Sequence, residues 1–246
     1  VDPRHAVIDK RLAGVRRIVA VTGGKGGIGK SLIASTLALV LARNGRRTGL
    51  LDLDLTGPCD HIVLGLDDRF PTEEFGIEPP VLHDISFMSV AYFAGDNPAP
   101  LRGEDITNAL LEILAITRWG DLDVLVVDMP PGLGDATLDA IRLMKRVEYL
   151  VVSTDSQVVV ETVRRSLRLL TELRTPIVGV LENMRRRDSD RVRDLAGEFE
   201  VPFLGSVPFD DSVEEATGDV VRLAGTRVSA ALAGLGDVLS GRRRDE

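Results

Sequence analysis

The sequence predicts an α/β fold in which helices lie on both faces of a mostly parallel central sheet. Continuous apolar runs of strand length alternate with segments of helical period, as a parallel sheet buried on both faces requires. A glycine-rich turn, TGGKGGIGKS at 22–31, joins the first of these runs to the first long helical segment. With 246 residues, 44% of them hydrophobic, the chain suits one hydrophobic core, so a single domain over 1–246 is expected.

Taken in order, Val7, Ile8 and Leu12 among the charges of 1–15 suggest a short helix lying on the domain. Residues 17–21 are the first buried strand, and a helix over about 32–41 follows the glycine-rich turn. Further strands are expected at 48–53, 85–90, 124–127, 149–153, 177–181 and 203–207, with helices between them at 106–117, 136–144, 158–170 and 191–199. Residues 67–84, rich in acids, Gly and Pro, are expected to form an irregular insertion. A last long helix over about 220–235 would place Val220, Leu223, Ala224, Val228, Ala231 and Leu235 on one face, and the tail at 241–246 should fray.

Charge and cysteine content narrow the classes of function. A formal net charge of -8 argues against a generally cationic nucleic-acid surface. No apolar run reaches bilayer-spanning length and the opening VDPRHAVIDKRLAG lacks the apolar segment of a signal peptide, so the expected location is cytoplasmic, without stable membrane insertion. Cys59, the one cysteine, excludes an intrachain disulfide and any metal site built from several cysteines of one chain. Two copies of Cys59 could still meet in a symmetric dimer.

The strongest chemical signal is GGKGGIGKS at 23–31. Gly24, Gly26, Gly27 and Gly29, with Ile28 between them, allow backbone amides to converge on phosphate oxygens, and the helix that opens at Leu32 adds its positive end. Lys30 would reach the β and γ phosphates and the Ser31 hydroxyl would ligate Mg2+. The expectation is a P-loop NTPase fold that binds ATP with Mg2+ and hydrolyses it to ADP and phosphate. Lys25, inside the turn, would neutralise phosphate charge in its own site or project across a dimer interface into the partner's.

Three carboxylates follow strands whose ends can meet the nucleotide. Asp52 and Asp54 share a face if their strand continues, since alternate side chains point the same way. Asp52 would hold magnesium through water and Asp54 would orient the attacking water. Asp128, ending the run 124–127, is a third magnesium-site candidate. In DMPPGLGD at 128–135, stiff prolines beside permissive glycines suit a short switch whose Gly132 amide senses the γ phosphate. Asn183 offers adenine both a donor and an acceptor, and Pro208 and Phe209, after another strand, are candidates beside the base.

These segments, KGGIGKS at 25–31, LLDLDLTGP at 50–58, VVDMPPGLGD at 126–135, GVLENM at 179–184 and GSVPFDD at 205–211, resemble the Mrp-type branch of the MinD/ParA superfamily of deviant phosphate-loop ATPases. The resemblance implies an ATP-dependent sandwich homodimer with Lys25 crossing between subunits, phosphate contact by Lys30, magnesium ligation by Ser31, and catalytic or magnesium-site roles for Asp52, Asp54 and Asp128. It also implies a task in iron-sulfur cluster carriage or metallocofactor assembly for a client protein. Carriers of this type have a CPxC cysteine pair shortly after the segment matching 182–184, where this chain continues RRRDS at 185–189. Thiolates hold such clusters and guanidinium groups do not. Cys59 is then the one residue left that could contribute to a shared cluster or dimer site. Two other purposes fit the same machinery: a ParA- or MinD-like positioning ATPase, and a nucleotide-gated regulatory module that binds a protein client.

Overall fold

The expected alternation of apolar runs and helical segments is what the computed structural model contains, over residues 3–66, 71–73, 76–94 and 104–239. α1 (Arg4–Arg11) leads into β1 (Val15–Gly23), α2 (Lys30–Arg43), β2 (Thr48–Asp52) and the short α3 (Asp60–Leu64). β3 (Thr72–Glu73), β4 (Ile77–Glu78), β5 (Val81–Leu82), β6 (Ile85–Ser89) and α4 (Ala91–Ala94) follow. α5 (Glu104–Ile116), β7 (Leu122–Asp128), α6 (Asp135–Leu143), β8 (Val147–Ser153), α7 (Gln157–Glu172) and β9 (Ile177–Arg185) form the middle of the chain. α8 (Arg191–Glu198), β10 (Phe203–Pro208), α9 (Ser212–Ala216), α10 (Val220–Ala224) and α11 (Arg227–Leu239) complete it.

Among the described residues, eight strands form one sheet in the order β10-β9-β8-β1-β7-β2-β6-β5. β10 through β6 pair parallel to their neighbours, and only β5 runs antiparallel, against β6. The chain steps in one direction from β1 through β2 to β6 and in the other from β7 through β8 and β9 to β10. Right-handed crossovers therefore place α2 on one face and α5 to α8 on the other. Both faces being covered, the central strands have no polar side to present: all of Ile18, Val19, Ala20 and Val21 of β1 and Val124 to Val127 of β7 are buried. α11 closes the α2 face, and Arg17 fastens its end there, bonding both oxygens of Glu148 at 2.8 Å and the carbonyls of Val238 and Leu239.

Three sequence expectations change. The helix expected over 220–235 is two helices, because Thr226 stops the first and starts the second: its hydroxyl donates to Leu223 O at 2.7 Å and accepts from Ser229 N at 3.2 Å. The break resets the buried face, so Leu232 takes the core position that continuous periodicity assigned to Ala231, which is exposed. Within 67–84, the described residues include a small antiparallel β3–β4 pair and the edge strand β5, rather than an irregular insertion throughout; 67–70 and 74–75 lie outside the described residues. β2 ends at Asp52, one residue before the expected end, and the tail at 241–246 also lies outside the described residues.

α3 is held at its C-terminus by close backbone approach. Gly65 has φ 60° and a Cβ there would lie 2.0 Å from Gly218 O. Gly65→Ala is expected to cost about 2 kcal/mol or more from the left-handed backbone and the clash. Thermal unfolding should therefore fall by roughly 5 °C relative to the unsubstituted protein; an unchanged melting temperature would refute this anchoring.

Candidate functional site

Parallel pairing brings the carboxyl ends of β1, β7 and β2 to one edge of the sheet. There Val21 and Asp52 are each in register with Asp128, and Gly23 is in register with Val152 of β8. The loop after β1 thus emerges at the crevice where the direction of strand progression reverses, the place where open α/β sheets bind ligands.

The loop at 23–29 is clamped from beneath. A Cβ on Gly24 would lie 2.4 Å from Thr162 Oγ1 and 2.6 Å from backbone atoms of α7, so only glycine allows that helix to pack so closely. Gly29 has φ 82°, and a Cβ there would meet Asn183 Nδ2 at 2.3 Å. Asn183, buried at the end of β9, donates from Nδ2 to Ile28 O at 2.9 Å, and Ile28 is itself buried. Lys25, Gly26 and Gly27 are exposed at the loop's tip, and Ser31 and Leu32 are half-buried. α2 begins at Lys30, two residues before the expected start, so Lys30 and Ser31 lie in its first turn.

Lys30 is buried, with Nζ 3.5 Å from Asp128 Oδ1, while Ser31 Oγ donates to Asp128 Oδ2 at 2.5 Å. Around Asp128 gathers a cluster of acids. Oxygens of Asp52, Asp60 and Asp128 lie within 4.8 Å of one another, and all three residues are fully buried. Burial, aided by the repulsion of Asp128, pushes the Asp52 carboxyl up to about 7. Burial also raises Asp60 well above the usual carboxylate range, and raises Asp128 against the opposing pull of Lys30 and Ser31.

This donor set fits the expected Mg2+, a hard cation that takes oxygen ligands. Carboxylates from two strand ends and the Ser31 hydroxyl converge, and Asp60 Oδ2 is buried without a hydrogen-bond partner. Asp60 was not among the residues singled out from the sequence. Its signal was available: Asp60 and Leu64 are four apart in a short helical turn, so an acid shares the buried face of α3.

The other candidates fall into three groups. Asp54 is buried near the cluster, but its Oδ1 closes a turn, accepting from Thr56 N, Thr56 Oγ1 and Gly57 N at 3.0, 2.6 and 3.1 Å. Because β2 ends at Asp52, strand alternation does not put Asp52 and Asp54 on a common face as expected; Asp54 N instead donates to Asp52 Oδ1. Gly132 has φ 76°, and a Cβ on it would come within 4.0 Å of Gly24 O, which brings the Pro-Pro-Gly turn over the loop. Cys59 is half-buried, and burial raises the pKa of its thiol.

On the β9–β10 side, the Arg186 guanidinium covers the half-buried Phe209 ring at 3.4 Å, next to half-buried Pro208. Phe209 N also donates to Arg185 O at 2.9 Å. The basic tract is mostly paired within the chain: Arg185 bonds Asp188 and Ser206, and Arg187 bonds Asp155. No helix among the described residues is long and apolar enough to cross a membrane.

The comparisons with known proteins agree with this geometry. The family model described as ParA, NUBPL iron-transfer P-loop NTPase, matches residues 14–233. An iron-sulfur cluster carrier protein of Mycobacterium tuberculosis is 34% identical over 252 residues, covering 93% of this chain and 66% of that protein. This chain therefore spans less than the full length of that relative. A cytosolic Fe-S cluster assembly factor NUBP2 homolog of Monosiga brevicollis is 35% identical over 226 residues, 84% of this chain and 80% of the relative. Among solved structures, an ADP complex of a nucleotide-binding protein from Archaeoglobus fulgidus superposes with a TM-score of 0.74 at 27% identity, covering 92% of both chains. The septum site-determining protein MinD of Pyrococcus horikoshii, with Mg-ADP, gives 0.69 at 20% identity over 92% of this chain and 96% of that one, a likeness of fold.

The acid cluster sets a pH dependence whose sign follows from its raised pKa. An Asp52 that ionises near 3.8 when unfolded and near 7 when folded favours the folded state at low pH, and that contribution is lost as pH rises from about 4 through 7. In metal-free buffer, the melting temperature of Asp52→Asn relative to the unsubstituted protein should therefore rise by roughly 5 °C between pH 4.5 and pH 8. A difference that does not change with pH would show that Asp52 is ionised throughout.

Proposed function

Since the chain belongs to the ParA family of P-loop NTPases, we propose that it binds ATP with Mg2+ at the loop 23–31, hydrolyses it, and uses a nucleotide-controlled homodimer to assist metallocofactor or iron-sulfur protein assembly. The observation that carries this reading is the junction of loop and strand ends, with Lys30 and Ser31 both engaging Asp128.

The loop amides from Gly24 to Leu32, with Gly26, Gly27, Ile28 and Gly29, take the phosphate oxygens at the start of α2. Lys30, already desolvated, exchanges its carboxylate partner for the β and γ phosphates. Ser31, Asp52 and Asp128 hold the magnesium, which supplies positive charge against the charge that builds up on phosphoryl transfer. Asp54 orients the attacking water through its carboxylate edge, while its Oδ1 keeps the 54–57 turn in place. The Gly132 amide, held over the loop, reports whether the γ phosphate is present. Adenine lies toward Asn183, Pro208 and Phe209. Asn183 Nδ2 is engaged with the loop and Arg186 covers one side of Phe209, so the base takes the remaining face of that surface.

Support for the homodimer comes from Lys25, an exposed cation at the tip of a loop whose other lysine is buried. Support for the assembly role comes from the relatives named as iron-sulfur carrier and assembly proteins. No CPxC pair accompanies it: Cys59 is the sole thiol and lies next to Ser31, so any thiolate-held cluster would need Cys59 from two copies or thiols from the client.

Lys30→Ala should weaken ATP binding by roughly 10–100-fold, the value of a charged hydrogen-bonding partner, in a fluorescent-nucleotide titration; unaltered affinity would remove the loop from the site. Asp54→Asn retains an oxygen for the turn but no charge, and should slow phosphate release by about 100-fold while ATP still binds. Normal turnover would end the proposed role of Asp54. With ATP present, Lys25→Ala should elute as monomer where the unsubstituted chain elutes as dimer, and an unchanged dimer would place Lys25 in its own subunit's site.

A further inference from the structure

Asp60 has no task in the nucleotide reading, yet it is as fully buried as Asp52 and Asp128. Ser35 Oγ of α2 donates to its Oδ1 at 2.7 Å and fixes the carboxylate's orientation. Its Oδ2 is buried with no hydrogen-bond partner, a condition that costs free energy unless some ligand completes it. The oxygens of Asp52 and Asp128 come within 4.8 Å from two other elements. Lys30 is the ammonium that bonds into the group, through Asp128. Three carboxylates, with Asp54 nearby, outnumber the one ammonium, so the ionised cluster carries a net negative charge that a divalent cation would offset.

We infer that Asp52, Asp60 and Asp128 form a protein-held divalent-cation site that fills before the nucleotide arrives. An ordinary phosphate loop supplies the ion with a hydroxyl and one carboxylate edge and depends on the phosphates for the remaining negative charge. Here α3 adds a third carboxylate whose orientation is set by α2, so the protein carries enough charge to bind the ion alone. The donors are carboxylate and hydroxyl oxygens, which select Mg2+ or Mn2+. Since α3 is carried on the same chain segment as Asp54, an ion bound to Asp60 also orders the turn from which Asp54 acts.

The inference extends the magnesium-site reading and does not rest on ATP binding. Its test is a titration of chelator-treated, nucleotide-free protein with Mn2+ at pH 8, followed by electron paramagnetic resonance of the free ion. One Mn2+ should bind per chain and be displaced by excess Mg2+. Asp60→Asn should weaken binding by at least about 100-fold, and Ser35→Ala, which leaves every carboxylate in place but releases Asp60, by about 10-fold. Circular dichroism accompanies each variant; if Asp60→Asn fails to fold, Ser35→Ala carries the comparison. Mn2+ that binds only after nucleotide is added, or equally well to the unsubstituted and folded variant proteins, overturns the inference. A parallel titration with a fluorescent ATP analogue separates the two readings: ATP binding without prior Mn2+ binding sinks this inference alone, whereas Mn2+ binding without ATP binding sinks only the nucleotide reading.

Discussion

A buried ammonium beside a buried carboxylate, Lys30 Nζ 3.5 Å from Asp128 Oδ1, is the constraint on which the nucleotide end of this molecule depends. Either charge alone in that position would carry a desolvation cost of several kcal/mol. Together they hold α2 against the end of β7, and Ser31 doubles the link through the other oxygen of Asp128. The arrangement leaves Asp52 and Asp60 without cations of their own, so burial raises both instead. The strain of the cluster is electrostatic, set by burial and by the mutual repulsion of its carboxylates, and a cation beside them would relieve it.

The glycine-rich loop gains its shape from the elements beneath it rather than from its own bonds. α7 presses on Gly24 so closely that no side chain would fit, and Asn183 binds the backbone of Ile28 while occupying the space a Cβ on Gly29 would need. β9 therefore reaches the loop through its asparagine. The Pro-Pro-Gly turn approaches from the other side, near Gly24 O. Loop, Pro-Pro-Gly turn and the end of β9 are thus one connected set of contacts, the physical requirement for coupling nucleotide state to binding elsewhere.

The segment at the end of β9 departs from the family's carrier pattern in a way that has structural consequences. The arginine tract at 185–187 takes the place of the cysteine pair, and its members are used internally: Arg185 braces Asp188 and Ser206, Arg186 covers Phe209, Arg187 bonds Asp155. The tract stiffens the segment joining β9 to α8. Cys59 is half-buried at the start of α3, one residue before Asp60 of the acid cluster.

Much of this was legible from residue order. The seven parallel strands appear as apolar runs because a strand covered on both faces has no polar side, and GGKGGIGKS announces a phosphate site because glycine spacing and a terminal lysine serve that chemistry wherever they follow a strand. The two-residue strands at 72–73, 77–78 and 81–82 carried too little pattern to be seen, and the Thr226 break lay hidden in an unbroken apolar period because a single hydroxyl caps both helices. At the site, Lys30 and Ser31 were readable behind the glycine-rich turn, and Asp52 and Asp128 at strand ends. What they touch was not: Asp60 joins them through the packing of α3 against α2, Asn183 turns toward the loop, and Asp54 spends an oxygen on its own turn. Local periodicity and motif spacing report which backbone a segment adopts. Which side chains meet across the ends of separate strands is decided only when the sheet closes, because those contacts join residues tens of positions apart that share no period.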